Sequence, residues 1–218
     1  MGVRLGQALP KALAPIKGEP LLVHTLRRFE AAGILDGAVI VFPEGYHDEY
    51  SRLIRNFFAA HLVILVKGGD SRQASVALGL EAMDTATEIA VIHDAARPFV
   101  STSVIQASID AAAQHGAATV AIPAVDTILE STPDSFLERT PDRSALWACQ
   151  TPQSFQLDII KAAHAHALTH ALTVTDDATL VHQTGTAVKL VAGEQINLKV
   201  TNPTDLLLAE IIIEKGLL

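Results

Sequence analysis

Val91-Ile92-His93-Asp94-Ala95-Ala96-Arg97-Pro98-Phe99 decides the fold. An apolar run of strand character ends in an acid, two small residues, an arginine and a proline. Such a run, bounded by a turn signal, reads as a buried parallel strand. In open α/β sheets, ligands sit just outside the carboxyl ends of these strands. Ala95 and Ala96 leave room for a ligand to approach the backbone. Asp94 is then a carboxylate placed for a metal or a ligand hydroxyl, and Arg97 a guanidinium placed for phosphate. The plainer reading is a surface Asp–Arg pair at a strand end.

Outward from this stretch, apolar runs alternate with amphipathic ones. Strands are expected at Gly37–Phe42, Leu62–Val66, Glu88–His93, Ala118–Ile122 and Val188–Val191. Helices are expected near Pro20–Ala32, Tyr46–Ala60, Arg72–Met83, Ser101–His115, Phe155–His166, Asp176–Gln183 and Thr204–Lys215. Strands alternating with helices of this length indicate βαβ units, a mostly parallel sheet and strand ends on one common face. From Asp126 to Trp147 the pattern turns polar and turn-rich, and reads as an excursion of short antiparallel strands, either a surface insertion or an arm that packs on a neighbouring subunit. The strand that opens most doubly wound domains is missing ahead of Gly2.

The chain has 218 residues, 49% hydrophobic and 18% charged, enough for a sizeable core. A net charge of −8 argues against nucleic acid, which selects a basic face. One cysteine, Cys149, excludes an internal disulfide and fits a reducing cytoplasm; it is expected to be a small buried residue. No apolar run reaches the ~18 residues of a membrane span, and the N-terminus does not read as a signal peptide.

Four basic clusters stand out, in loops that follow strands or precede helices. Gly2-x-Arg4-x-Gly6-x-x-x-Pro10-Lys11 has glycines that let backbone N–H groups cradle an anion, with Arg4 and Lys11 as donors. Gly68-Gly69-Asp70-Ser71-Arg72-Gln73-Ala74-Ser75-Val76 runs from a strand into a helix N-terminus, an anion or nucleotide-edge site or simply a capped turn. His93–Pro98 is the third. Asn197-Leu198-Lys199-Val200-Thr201 is the fourth, and Lys199 in this apolar setting requires an anionic partner. Arg143 and Gln150-Thr151-Pro152-Gln153 add polar groups, while Thr175-Asp176-Asp177-Ala178 reads as a helix N-cap. His164, His166 and His170 read as a solvated helix face. There is no Gly-x-Ser-x-Gly elbow and no P-loop. Anion loops, a strand-end carboxylate and no general base together suit phosphoryl-type transfer, in which positioning and charge stabilisation do the catalysis.

These motifs, in order, resemble those of 2-C-methyl-D-erythritol 4-phosphate cytidylyltransferases, nucleotidyltransferases of non-mevalonate isoprenoid synthesis. They are Gly2, Arg4, Pro10 and Lys11; Gly68 to Val76; His93 to Pro98; Asp126-Thr127; Gln150 to Gln153; Thr175 to Ala178; and Asn197 to Thr201. The resemblance runs from Gly2 to about Glu210. It implies a Rossmann-like (GT-A-like) three-layer α/β sandwich, one domain over 1–218, and dimerisation through the arm at about 126–147. It implies CMP transfer from CTP to methylerythritol phosphate, with Mg²⁺ as cofactor and a homodimer as the assembly. Arg4 and Lys11 would stabilise the α-phosphate, and Arg143 and Lys199 would hold the attacking phosphate. Gly2, Gly69, Asp70, Ser75 and Asp94 would bind the nucleotide, Asp94 also lying at the metal. Arg97, Thr127, Thr151 and Thr175 would line the polyol side. Thr127 and Arg143 would reach the neighbour's site. Competing readings are a ribitol 5-phosphate or other polyol-phosphate cytidylyltransferase, and an inactive, N-terminally truncated nucleotide-binding homologue. The latter follows from the family's opening strand and Ala-Ala-Gly, which are absent here. Loss of that strand is expected to expose its two neighbours.

Overall fold

The computed structural model describes residues 9–55 and 63–217. Elements follow in the order β1 (Pro15–Ile16), β2 (Glu19–Pro20), α1 (Leu21–Ala32), β3 (Ala38–Phe42), α2 (His47–Ile54), β4 (Val63–Lys67), α3 (Arg72–Glu81), β5 (Ile89–Ile92), α4 (Thr102–His115) and β6 (Ala117–Pro123). After these come β7 (Glu130–Ser131), β8 (Leu137–Arg139), β9 (Trp147–Gln156), α5 (Leu157–His170), α6 (Asp177–Gln183), β10 (Lys189–Ala192) and α7 (Pro203–Glu214).

The five expected strands are present within a residue or two of their expected bounds. Three strands were not anticipated, the two-residue β1 and β2 and the long β9. β9 is ten residues long and lies at the centre of the sheet β10-β6-β9-β5, antiparallel to both β5 and β6. β10 and β6 are parallel, as are β3 and β4. The sheet is therefore mixed where a mostly parallel one was expected. The helix expected from Phe155 starts instead at Leu157, because Phe155 and Gln156 still belong to β9. Of the helix expected at Tyr46–Ala60, the described part is α2; residues 56–62 lie outside the described residues.

Helices cover both faces of this sheet. Phe155, Ala90 and Ala117 pack against Ile160, Ala163 and Ala167 of α5 and Leu180 and Val181 of α6. On the other face Val120 meets Val104 and Ile105 of α4 and Phe29 of α1. This is the three-layer α/β arrangement that the family resemblance implied.

β3 and β4 form a separate two-stranded sheet. Among the described residues β3 pairs only with β4, and β5 only with β9. Helices α1 and α3 bridge the two sheets. Leu22 and Leu26 pack with Phe42 and Ile40, while Phe29 packs near Val91. A Cβ at Gly79 of α3 would touch Val41 at 3.1 Å, and its neighbour Leu80 packs with Ala90. Val39, Ile40, Val41, Val91 and Ile92 are only partly buried, although apolar strand interiors are usually covered. Among the described residues β3, β4, β5 and β10 are each paired on one side only.

β7 and β8 pair antiparallel within the arm, as its turn-rich sequence suggested. Val125, Leu129, Phe136 and Leu137 of the arm are exposed, Phe136 by 72%. Among the described residues no helix is long and apolar enough to cross a membrane.

Candidate active site

β5 ends at Ile92, and the next five residues turn over the carboxyl edge of the sheet with their backbone held throughout. Arg97 N–H donates to the Asp94 carbonyl at 2.9 Å. The Thr25 hydroxyl donates to the Ala95 carbonyl at 2.9 Å, and Val200 N–H to the Ala96 carbonyl at 2.8 Å. Asp94 N–H donates to the Thr151 hydroxyl at 3.1 Å. A loop so pinned presents its side chains on a rigid frame.

Asp94 is the centre of the site. Its carboxylate lies 2.6 Å from Lys199 Nζ and 3.5 Å from Arg72 Nε. Its side chain is 18% exposed, that of Lys199 40%. Burial alone would raise the Asp94 pKa; the Lys199 ammonium, followed by Arg72 and Arg97, holds it below the ordinary carboxylate value. The anionic partner that the sequence required of Lys199 is therefore Asp94.

Arg97 donates from Nη1 to the Asn197 carbonyl at 2.8 Å and from Nη2 to the Cys149 carbonyl at 3.3 Å. Burial lowers its pKa, while the Asp94 charge opposes that shift. Asn197, fully buried, donates to the Thr151 carbonyl at 2.9 Å and so ties the Asn197–Thr201 segment to β9. Among the described residues Arg97 Nε and Asn197 Oδ1 are buried without a hydrogen-bond partner. Both flank the cluster, and a bound hydroxyl or water has groups there to meet.

Arg72, the first residue of α3, was not singled out in the sequence. Its Nη1 donates to the buried Asp177 carboxylate at 2.8 Å, and Asp177, 1% exposed, also accepts from His164 Nε2 at 3.1 Å. Burial works to lower the Arg72 pKa, but Asp177 and Asp94 prevail and raise it. His164 is therefore buried, contrary to the expectation of a solvated face; α5 turns it inward onto Asp177. The N-cap of α6 is Asp176, which accepts from Thr179 N–H. Asp177, one residue on, has a different task.

The Gly69 turn sits on the first turn of α3. Ser71 caps the helix, and the Ser75 hydroxyl accepts from Gly69 N–H at 3.2 Å. A Cβ at Gly69 would come within 2.8 Å of Ala74 Cβ, so the close approach requires glycine. Asp70 is exposed on this turn.

Lys11 opens a short 3-10 turn, and the following Ala12 and Leu13 pack in the cluster that contains Phe42 and Ala95. The Lys11 segment thus lies against both strand ends. Gly2 and Arg4 lie outside the described residues. Thr175 is exposed beside Asp176. Thr127 and Arg143 are exposed on the arm, and Arg143 Nη1 donates to the Val125 carbonyl at 2.8 Å, away from the Asp94 cluster. Cys149 is exposed rather than buried, for it lies on the half of β9 that runs out toward the arm.

His93, partly buried, meets the ring of Phe29 edge to face, and desolvation lowers its pKa to about 4. Neutral and bonded to protein on both ring nitrogens, it is no free general base. Among the described residues no three His, Cys, Asp or Glu side chains converge as a metal cage. Mg²⁺ is often held by one or two carboxylates plus substrate phosphates. An ionised carboxylate has roughly four acceptor sites, and Lys199 and Arg72 approach one oxygen each. The donor set at Asp94 fits an ion of that kind.

The model of the 2-C-methyl-D-erythritol 4-phosphate cytidylyltransferase family matches residues 1–215. Relatives carrying that name include one from Symbiobacterium thermophilum, 40% identical over 98% of this chain and 89% of the relative. Another, from Pelotomaculum thermopropionicum, is 41% identical over 98% of this chain and 90% of the relative. The crystal structure of the cytidylyltransferase from Thermus thermophilus superposes with a TM-score of 0.82 at 34% identity, covering 94% of each chain. The 4-diphosphocytidyl-2C-methyl-D-erythritol synthase of Anaerococcus prevotii gives a TM-score of 0.87 at 27% identity, covering 93% of each chain.

Proposed function

The chain belongs to the 2-C-methyl-D-erythritol 4-phosphate cytidylyltransferase family, and we propose that it transfers CMP from CTP to that polyol phosphate. A 4-phosphate oxygen attacks the α-phosphorus of CTP, the bond to the β-phosphate breaks, and pyrophosphate leaves. The product is 4-diphosphocytidyl-2-C-methyl-D-erythritol.

One observation carries this reading. At the carboxyl end of β5, Lys199, Arg72 and Arg97 surround the carboxylate of Asp94, with Arg72 shared with the buried Asp177, in a protein whose net charge is −8. Cations gathered where an α/β sheet binds its ligand favour a polyphosphate and the charge that builds on it during transfer. The attacking phosphate is already an anion at neutral pH, so the chemistry needs no free base beside Asp94.

The residue roles in this reading rest on the family resemblance. Gly2, Gly69, Asp70, Ser75 and Asp94 bind the nucleotide; Arg4 and Lys11 stabilise the α-phosphate; Lys199 orients the phosphates from across Asp94. Arg97, Thr127, Thr151 and Thr175 line the polyol side. Mg²⁺, held by Asp94 and the nucleotide phosphates, would neutralise phosphate charge. The exposed apolar side chains of the arm, Val125, Leu129, Phe136 and Leu137, support a homodimer in which residues 126–147 clasp a second copy and bring Arg143 and Thr127 to its site. In this reading residues 1–218 act as one catalytic unit in the cytoplasm.

The test is pyrophosphate release with CTP, Mg²⁺ and methylerythritol phosphate, with ribitol 5-phosphate in parallel. Release with the first alone, abolished by EDTA, is expected. Release with ribitol 5-phosphate alone would move the substrate assignment, and silence with both would remove the activity.

A further inference from the structure

Three hydrogen bonds behind the site form a directed chain. His93 Nε2 lies 3.0 Å from the Arg97 carbonyl, which can only accept. The ring therefore carries a proton on Nε2. His93 Nδ1 lies 3.1 Å from Thr151 Oγ1. That oxygen already accepts from Asp94 N–H at 3.1 Å. With the ring proton on Nε2, Nδ1 is an acceptor, and the single hydroxyl proton of Thr151 points at it.

We propose that His93 is a positioning residue that sets the hydrogen-bonding sense of Thr151. The histidine takes the Thr151 proton at Nδ1, holds the Arg97 carbonyl with Nε2, and leaves Thr151 Oγ1, on a residue only 4% exposed, with acceptor capacity alone for a group that reaches it. Phosphate oxygens accept hydrogen bonds and do not donate them. Thr151 thus turns away a phosphate group and accepts from a substrate hydroxyl. The same ring closes the loop that carries Asp94 and Arg97, because it bonds Arg97 directly and Asp94 N–H through Thr151. This deepens the function proposed above and rests on Thr151 lining the polyol side of that site.

Two readouts test it. In the purified protein, long-range proton–nitrogen correlation of the histidine rings is expected to show His93 protonated on Nε2 only. In T151V the His93 Nδ1 resonance is expected to shift, and in T151S to stay in place. A ring protonated on Nδ1, or Nδ1 indifferent to T151V, overturns the proposal. This spectrum needs no turnover, so it stands apart from failure of the cytidylyl-transfer reading. Kinetics supply the second readout. H93Q keeps a donor for the Arg97 carbonyl but frees the Thr151 proton. Its KM for the polyol phosphate is expected to rise about tenfold, roughly one hydrogen bond, with KM for CTP and the melting temperature little changed. H93N offers an acceptor to Thr151 without reaching Arg97, so its melting temperature should fall while that KM rises less than in H93Q. Equal KM increases for both substrates, tracking lost stability, would make His93 merely structural.

Discussion

Lys199 Nζ sits 2.6 Å from the Asp94 carboxylate, joining two loops 105 residues apart into one charged centre. The lysine is 40% exposed, so its ammonium faces both the carboxylate and the open side where a phosphate would arrive. Replacing it by methionine keeps the stem and removes the charge. The expected loss is ~10²–10³ in kcat, the usual cost of one transition-state charge contact, measured by pyrophosphate release at saturating substrates. A K199M enzyme with parental kcat would strip Lys199 of its role.

The depressed pKa of Asp94 makes stability depend on pH with a defined sign. Burial opposes ionisation, but Lys199, Arg72 and Arg97 together keep the folded-state pKa below the ordinary 3.8. The stabilisation is complete above the unfolded carboxyl's pKa and is lost as pH falls through the lower folded value. Asp176 adds the same sign: burial opposes its ionisation, but the Thr179 backbone N–H and hydroxyl prevail. Melting temperatures should therefore be level with respect to these groups from neutral pH to about pH 5 and decline below pH 4. D94N should flatten part of that decline. An identical acid profile in D94N would refute this contribution.

Asp177 and Arg72 form the buried half of the network. Asp177 is 1% exposed, and removing it leaves Arg72 facing only the 3.5 Å contact to Asp94. D177A should cost about 3 kcal/mol in denaturant unfolding, the lower range for breaking a buried pair. Adding R72M to D177A should recover part of that loss, since the stranded charge is then gone. Strict additivity of the two substitutions would show that they do not interact.

The arm yields a prediction in mixed dimers. Arg143 is bonded to the Val125 carbonyl of the arm, while Lys199 is on Asp94. If Arg143 serves the partner's site, R143A and K199M chains, each feeble alone, should complement when mixed. In a random two-fold mixture about a quarter of sites would regain both residues. F136E should abolish complementation and yield monomers by light scattering. Mixed chains no more active than their average would place Arg143 outside the reaction.

Much of this was legible in the chain. Apolar runs ending at Phe42 and Ile92 marked strands, and the need of Lys199 for an anion anticipated its pairing. β9 was hidden because its inward-facing residues are polar. Gln150, Thr151, Gln153 and Ser154 are all buried, so hydrophobic alternation does not show the strand. Their polarity is satisfied across the sheet: Ser154 bonds Ser108, and Gln153 donates to Thr119 and accepts from Asp177 N–H. Arg72 and Asp177 escaped for another reason. They stand 105 residues apart, and each had a local explanation as helix-start chemistry. Only the fold shows that the N-cap of α6 is Asp176, releasing the Asp177 side chain for Arg72 and His164.

The most direct test of the central claim is phosphorus NMR of CTP, Mg²⁺ and 2-C-methyl-D-erythritol 4-phosphate incubated with this chain. The predicted result is growth of two coupled diphosphate resonances and one of pyrophosphate, in equal yield, as the phosphomonoester signal falls. A phosphomonoester that persists while CTP is hydrolysed, or a spectrum that does not change, would contradict cytidylyl transfer at the Asp94–Lys199 centre.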